Sequence, residues 1–442
     1  MDRKSDFKLF AKYTSFNIMS MIGLSCYILA DTYFIARGLG ENGLAALNIA
    51  IPAYSFINGT GLMLGIGGGT KFAINKALGK EKECDQIFMH MIYGAIFFAL
   101  FFILLGLTRS DEISLFLGSA EETLNMTSIY VKITLLFSPA FMINNIMNCF
   151  VKNDGEPRLA MLAMLSGSMF NIVFDYIFIF PMNLGMAGAA MATGAAPVVG
   201  ILILSIHFIK KKNSFHFCKT KLHLKFYRKC LPLGVPALIT ELSSGFVIVI
   251  FNILILKLAG NTGVAAYGII ANISLVVVAV YTGIAQGIQP VLSDAFGQGL
   301  KIRIKNVVVY GVCTSLIISI FVYGLLFVKA DYFAMLFNRD QNTELQRIAI
   351  NGIRMYFAAI PFVGFNIIIA SYFASIEQKI PAQLVSVLRG FVILIPLVFL
   401  MSEIWKLNGI WLSFPVTELI TSIVAVICFV FVRNHNNKSL IG

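Results

Sequence analysis

Twelve stretches of about 20 mostly apolar residues, separated by short polar connections, constrain this chain more than any other feature. They lie near residues 14–36, 48–72, 86–107, 124–150, 160–181, 187–209, 232–257, 265–292, 305–328, 347–374, 382–403 and 408–432. A bilayer-spanning helix and its connection together take about 36 residues, so 442 residues accommodate about twelve crossings and no sizeable soluble domain. Only 13% of the residues are charged and 58% are hydrophobic, whereas soluble domains carry about 25% charge. No soluble fold hides that much apolar surface. The expectation is an all-α integral membrane protein.

Charge placement gives the topology. The even-numbered connections and the two termini hold about 24 of the 34 Lys and Arg, and the odd-numbered connections about seven. This alternation predicts a multi-pass membrane protein with both termini cytoplasmic. It also explains the net charge of +12 without nucleic acid. The segment Met1–Tyr13 mixes both charge signs, and no small-residue cleavage site follows the first apolar run. That run reads as a retained first helix. The largest basic cluster, Lys210 to Lys229, falls at mid-chain and reads as a topogenic loop touching anionic lipid. The seven cysteines are scattered without a C-x-x-C pair and read as small apolar filler.

The mid-chain loop separates two related halves. Gly40-Glu-Asn-Gly43-Leu-Ala-Ala matches Gly260-Asn-Thr-Gly263-Val-Ala-Ala at an offset of 220, and Pro139 matches Pro361 at 222. Gly65-Ile66 and Ala77-Leu78-Gly79 match Gly283-Ile284 and Ala295-Phe296-Gly297 at an offset of 218. Six spans per half make the repeats parallel. The predicted organisation is an N-lobe over 1–210, a basic linker over 211–231 and a C-lobe over 232–442. Two such bundles around a central cleft form a transporter architecture. The glycine run Gly61, Gly65, Gly67, Gly68, Gly69 lacks a G-K-[ST] ending and reads as close helix packing. With no nucleotide or hydrolase motif, the expected energy source is an ion gradient, with no organic cofactor and no enzyme activity.

Polar groups inside the spans carry the functional reading. A carboxylate at a helix centre costs about 2.5–3.5 kcal/mol on insertion scales. Asp31 lies in the first span and Asp175 in the fifth. Tyr27 with Asp31, Asn144 with Asn148, and Asn171 with Asp175 stand at i and i+4, each pair on one helix face. Facing inward, these stripes build one wet polar cavity, to which Thr193 of the sixth span adds a hydroxyl. Two carboxylates, an amide and a hydroxyl suit a proton or a hard monovalent cation such as sodium. In the second half, Glu241 lies in the seventh span, Arg354 in the tenth, Arg389 in the eleventh and Glu418 in the twelfth. Glu241 either faces the cavity or pairs with an arginine, and Glu418 reads as a structural partner of Arg389. Asp31 and Asp175 have no clear copies in this half.

The chain resembles the multidrug and toxic compound extrusion (MATE) family. The resemblance rests on Asp31-Thr-Tyr-Phe-Ile-Ala-Arg-Gly-Leu-Gly, the Gly43 and Gly263 repeat pair, and Pro139 followed by Lys152-Asn-Asp-Gly-Glu-Pro. It continues through Asn171-Ile-Val-Phe-Asp175, Gly185-Met-Ala-Gly-Ala-Ala and Ile239-Thr-Glu-Leu-Ser, and is best with the MepA-like bacterial branch. It implies twelve transmembrane helices as two parallel pseudo-symmetric six-helix bundles, a monomer, exporting cationic amphipathic drugs in exchange for sodium or protons. The implied ion site, which would also be the metal site under sodium coupling, falls on Asp31, Asn171, Asp175 and Thr193. The implied drug contacts fall on Tyr27, Asn144, Asn148 and Asn171. The first span lacks the inner proline some members use for bending, and the tenth carries Arg354 instead of an acid. An alternative within the same superfamily is a flippase for a lipid-linked precursor, which calls for cations in the cleft.

Overall fold

The computed structural model describes residues 3–338 and 342–438, and all regular elements among them are helices. Eight helices are long and apolar enough to cross a bilayer. A ninth crossing is the pair Glu121–Leu136 and Ser138–Asn153, bent by 49° beside Pro139. Three of the eight turn back on themselves at an internal break, which brings the crossings among the described residues to twelve. In Arg3–Ala77 the break is Gly40, in Leu224–Gly297 it is Gly260, and in Lys379–Asn434 it is Lys406. Each reversal is visible in a contact that a straight helix, rising about 1.5 Å per residue, would forbid. The Tyr27 and Tyr54 hydroxyls are 3.2 Å apart, the Phe251 and Tyr267 rings stack at 5.3 Å, and Arg389 Nη2 reaches Glu418 Oε1 at 2.8 Å.

The backbone fixes the register of the two halves. Gly40 (φ 69°, ψ −159°) and Gly260 (φ 60°, ψ −160°) adopt the same left-handed turn 220 residues apart. Gly79 (φ 71°) and Gly299 (φ 70°) close the second and eighth spans with equivalent capping bonds. Lys80 N donates to Asn75 O at 2.9 Å, and Leu300 N to Ala295 O at 2.8 Å. The partner of Gly79 is therefore Gly299, not Gly297, and the 218 offset read from the sequence is corrected to 220 at this cap. A shared Ala-x-Gly triplet is a weaker signal than the positive φ the cap requires. The fourth and tenth spans end alike at Gly155 (φ 102°) and Glu377 (φ 61°), offset by 222 as for Pro139 and Pro361.

Two apolar cores lie side by side. One is built from residues between Ile35 and Cys230, the other from residues between Phe251 and Val432. Phe10 and Tyr13, at the start of the first span, pack into the second core. The basic linker is docked on the N-lobe. Phe215 is fully buried, with ring centroids 4.7–5.3 Å from Phe72, Phe88, Phe150 and Phe208. Below it, the Asp154 carboxylate accepts bonds from His207 Nε2 (2.7 Å), Ser214 N (2.7 Å) and Ser214 Oγ (2.6 Å), and pairs with Lys76.

Burial pushes the Asp154 carboxyl up, but the bonds from His207, Lys76 and Ser214 outweigh it and hold the group below its usual 3.8. A depressed carboxyl adds stability that is complete above the unfolded value near 4 and is lost as pH falls through the folded one. Limited proteolysis should therefore leave the linker intact at pH 7 and cut it as the pH drops below about 4. Asp154→Ala should release it at neutral pH, at a cost of about 3 kcal/mol for breaking a buried ion-pair cluster.

The lobes meet along a seam at the end of the molecule that carries the basic connections. Span 8 lies so close to span 1 that a side chain at Gly283 or Gly287 would strike the backbone of Ile18 or Thr14. The buried Lys152 donates to Asn17 Oδ1 (3.2 Å) in one lobe and Gln286 Oε1 (3.3 Å) in the other. Asn153 and Gln289 exchange amide bonds at 3.2 Å, and Gln289 also donates to Thr70 Oγ1 at 3.0 Å. Lys71 pairs with Glu377, and Asp6 accepts from Arg303 (2.9 Å) and Asn306 (3.0 Å). Among the described residues, no hydrogen bond or ion pair joins the lobes at the opposite end.

Candidate ion and substrate site

Four of the polar residues singled out in the sequence converge in the N-lobe. Asp175 and Asn171 share a face of the helix Pro157–Ile179 and are fully buried. Asp31, from the first span, is 6% exposed, and its carboxyl lies beside that of Asp175. Thr193, from Gly185–Leu204, completes the group. With its amide turned so that both ends are satisfied, Asn171 donates to Asp175 Oδ2 at 3.0 Å. Its oxygen then accepts from Thr193 Oγ1 (3.3 Å) and Thr193 N (3.2 Å). Small residues in Gly185-Met-Ala-Gly-Ala-Ala give this helix its close approach: Ala189, Ala190 and Ala192 are all fully buried.

Asp31 Oδ1 and Asp175 Oδ1 are buried without a protein partner. Two negative carboxyls in contact repel strongly in a low dielectric, so the pair needs a proton or a cation between its oxygens. The oxygen-only donor set fits either a proton or a hard monovalent cation. Among the described residues no group of three or more His, Cys, Asp or Glu is placed to hold a metal ion.

The sequence reading missed Tyr130. It is buried on the helix Glu121–Leu136, within electrostatic reach of Asp31, Asp175 and Thr193. Nothing in its spacing distinguishes it from the other 14 of the 15 tyrosines. Tyr54 was also missed; it reaches Tyr27 across the Gly40 turn. The remaining expected contacts scatter. Asn144 points its unpartnered Oδ1 at Gly200, where any side chain would collide with it. Asn148 donates to Ala160 O at 3.1 Å and is engaged in holding the fifth span.

Glu241 makes no pair with an arginine among the described residues. It accepts from Asn58 Nδ2 at 3.3 Å, and Asn58 in turn accepts from Asn145 at 2.9 Å. This chain of amides carries a C-lobe carboxylate onto the N-lobe. Glu418 behaves as a structural acid, taking two bonds from Arg389 (3.1 and 2.8 Å) and one from Asn366 (2.7 Å). Arg354 donates to Phe327 O and lies over the Phe327 ring at 5.3 Å, near the end of the ninth span.

Proteins similar to this chain over nearly its whole length are multidrug exporters. The multidrug export protein MepA of Staphylococcus aureus (strain NCTC 8325 / PS 47) is 27% identical over 434 residues, covering 97% of this chain and 95% of that protein. MepA of Staphylococcus saprophyticus is 26% identical over 427 residues, covering 95% and 93%. A solved multidrug resistance MATE family transporter in an outward-facing conformation superposes with a TM-score of 0.91 at 21% identity, covering 99% of this chain and 97% of that one. The MatE family profile matches residues 17–177 and 236–400, once in each lobe. This chain belongs to the MatE family, the multidrug and toxic compound extrusion transporters.

Proposed function

We propose that the protein is a secondary antiporter that exports cationic amphipathic compounds in exchange for protons or sodium, in the cytoplasmic membrane of a bacterium. The observation that carries this reading is the Asp31–Asp175 pair, with its two orphaned oxygens, the Asn171 amide and the Thr193 hydroxyl. Loading the pair with one monovalent ion leaves a single negative charge shared by the two carboxyls and relieves their repulsion. Asp31 sits one turn from Tyr27 on the first span, and Tyr27 is hydrogen-bonded to Tyr54 on the second. Occupancy of the pair is thereby tied to both spans that line the seam. The cationic substrate meets Glu241, whose carboxylate joins the lobes through Asn58, and the Tyr27–Tyr54 pair, and the basic end faces the cytoplasm.

The flippase reading needs cations free to receive a diphosphate. Lys152 is held by Asn17 and Gln286, and Arg389 by Glu418, which favours the drug reading. Energetically, one charge crossing about 150 mV supplies about 3.5 kcal/mol, enough for a few-hundred-fold gradient of a neutral solute. A cationic substrate requires a second ion or the ion's own concentration gradient as well.

The test is ethidium transport in proteoliposomes with imposed sodium or pH gradients. One of the two gradients should drive uphill movement. Equal, purely downhill leakage under both would reject the antiport reading.

A further inference from the structure

At the basic end of the seam lies a cavity of about 340 Å³, lined by both lobes. Its walls are the end of the second span, the start of the third and seventh, the end of the eighth and the turn at Glu377. Lys71 lines it but is paired with Glu377. Lys80 from the N-lobe and Lys229 from the start of the seventh span also line it, and neither ammonium has a hydrogen bond or ion pair among the described residues. With Glu83 on the wall, the cavity carries one net positive charge. Apart from Asn75, the rest of its lining is apolar, chiefly Ile74, Leu78, Phe226 and Phe296. A single anion attached to an apolar body is the complementary ligand, and the volume lies within the usual range for small-molecule sites.

The surroundings select the form of that ligand. The linker leading into the cavity exposes Phe217, Leu222 and Leu224, each above 60%, between Lys219, Lys221 and Lys225. Phe215 and Asp154 hold this strip against the N-lobe. Alternating exposed apolar and cationic side chains at the level of the helix ends mark a segment that lies in an anionic headgroup layer. Glu377 adds a second sign of tension: it holds a positive φ where the first half has Gly155, while its carboxylate reaches across to Lys71.

We propose that this cavity binds the phosphodiester headgroup of an anionic phospholipid between Lys80 and Lys229, with the start of its acyl chains between Leu78 of the N-lobe and Phe296 of the C-lobe. The headgroup touches both lobes only while the basic end is closed. Its binding therefore stabilises that state by linkage, making the protein's conformational balance responsive to the charge of the leaflet. The proposal depends on the closed seam and not on which ion drives transport, so the two fail separately.

The experiment uses the full-length protein purified in neutral detergent. Retention of phosphatidylglycerol, phosphatidylcholine and inorganic phosphate is read by native mass spectrometry, for wild type and for Lys80→Gln/Lys229→Gln. Phosphatidylglycerol should bind wild type roughly tenfold more tightly than the double variant, with phosphatidylcholine weak on both. Lys80→Arg/Lys229→Arg should restore retention. Cys230, fully buried on the cavity wall, should be alkylated by maleimide about fivefold more slowly with phosphatidylglycerol bound. Equal retention by the wild-type protein and the glutamine variant overturns the site. Binding of inorganic phosphate with no preference for phosphatidylglycerol overturns the lipid assignment. Unchanged Cys230 alkylation overturns the bridging role.

Discussion

Asp31→Asn is expected to abolish ion-driven ethidium efflux while leaving the protein in the membrane at near wild-type level, and Asp175→Asn to do the same. Each change removes the negative charge yet keeps the shape of a group buried among Asn171, Thr193 and Tyr130. Replacing one charge of a contacting like-charged pair by a neutral amide relieves repulsion, so the fold should gain stability or stay unchanged. Transport suffers because the site is held near the charge of its loaded form and no longer alternates between loaded and unloaded states. The expected loss is at least a hundredfold in gradient-driven rate, about 2.7 kcal/mol or more. Dye binding by the purified variants should persist, which separates lost coupling from lost folding. Gradient-driven efflux at wild-type rate by both variants would remove the ion-site assignment.

Gly234→Val should destabilise the packing of the two lobes. Gly234, near the start of the seventh span, lies against the second span so closely that a Cβ would overlap the Met63 carbonyl. The obstacle is backbone, not a movable side chain, so relief requires shifting a helix. Overpacking a well-filled core costs about 1–3 kcal/mol and sometimes more, and a backbone collision belongs at the upper end. The variant should show loss of monodisperse protein on size exclusion and a melting midpoint lower by several degrees. Neighbouring Leu238→Ala, which enlarges space instead of filling it, should give a milder loss. A Gly234→Val protein with wild-type stability would contradict the packing described here.

The scaffold was legible because a bilayer leaves few choices. Runs of about 20 apolar residues must be helices, and the Gly40 and Gly260 turns repeat both in sequence and in φ and ψ. The register slipped at Gly79 because glycine-rich helix ends look alike until the positive φ identifies the cap. Polar residues in apolar spans have few destinations, which is why Asp31, Asn171, Asp175 and Thr193 could be read as one group before they were seen to meet. Tyr130 gave no such signal, since an amphipathic ring is unremarkable in a span. The docking of the linker was hidden for the opposite reason: Phe215 stands in a run of polar and basic residues that reads as open loop, and only the facing aromatic cluster shows its place. Lys152 reads as one more topogenic charge, although its ammonium is buried between Asn17 and Gln286. The halves share turns and caps but not chemistry, since the position 220 residues after Asp31 is Phe251, fully buried in the second core.

The most direct measurement is ion release on substrate binding. Ethidium is added to the purified, ion-loaded protein in weak buffer, with proton release followed by an indicator dye and sodium release by a sodium electrode. The account predicts stoichiometric release of one of the two ions from the wild-type protein, and none from Asp31→Asn/Asp175→Asn despite retained dye binding. Undiminished release from that double variant would contradict the central claim that the acid pair of the N-lobe carries the coupling ion.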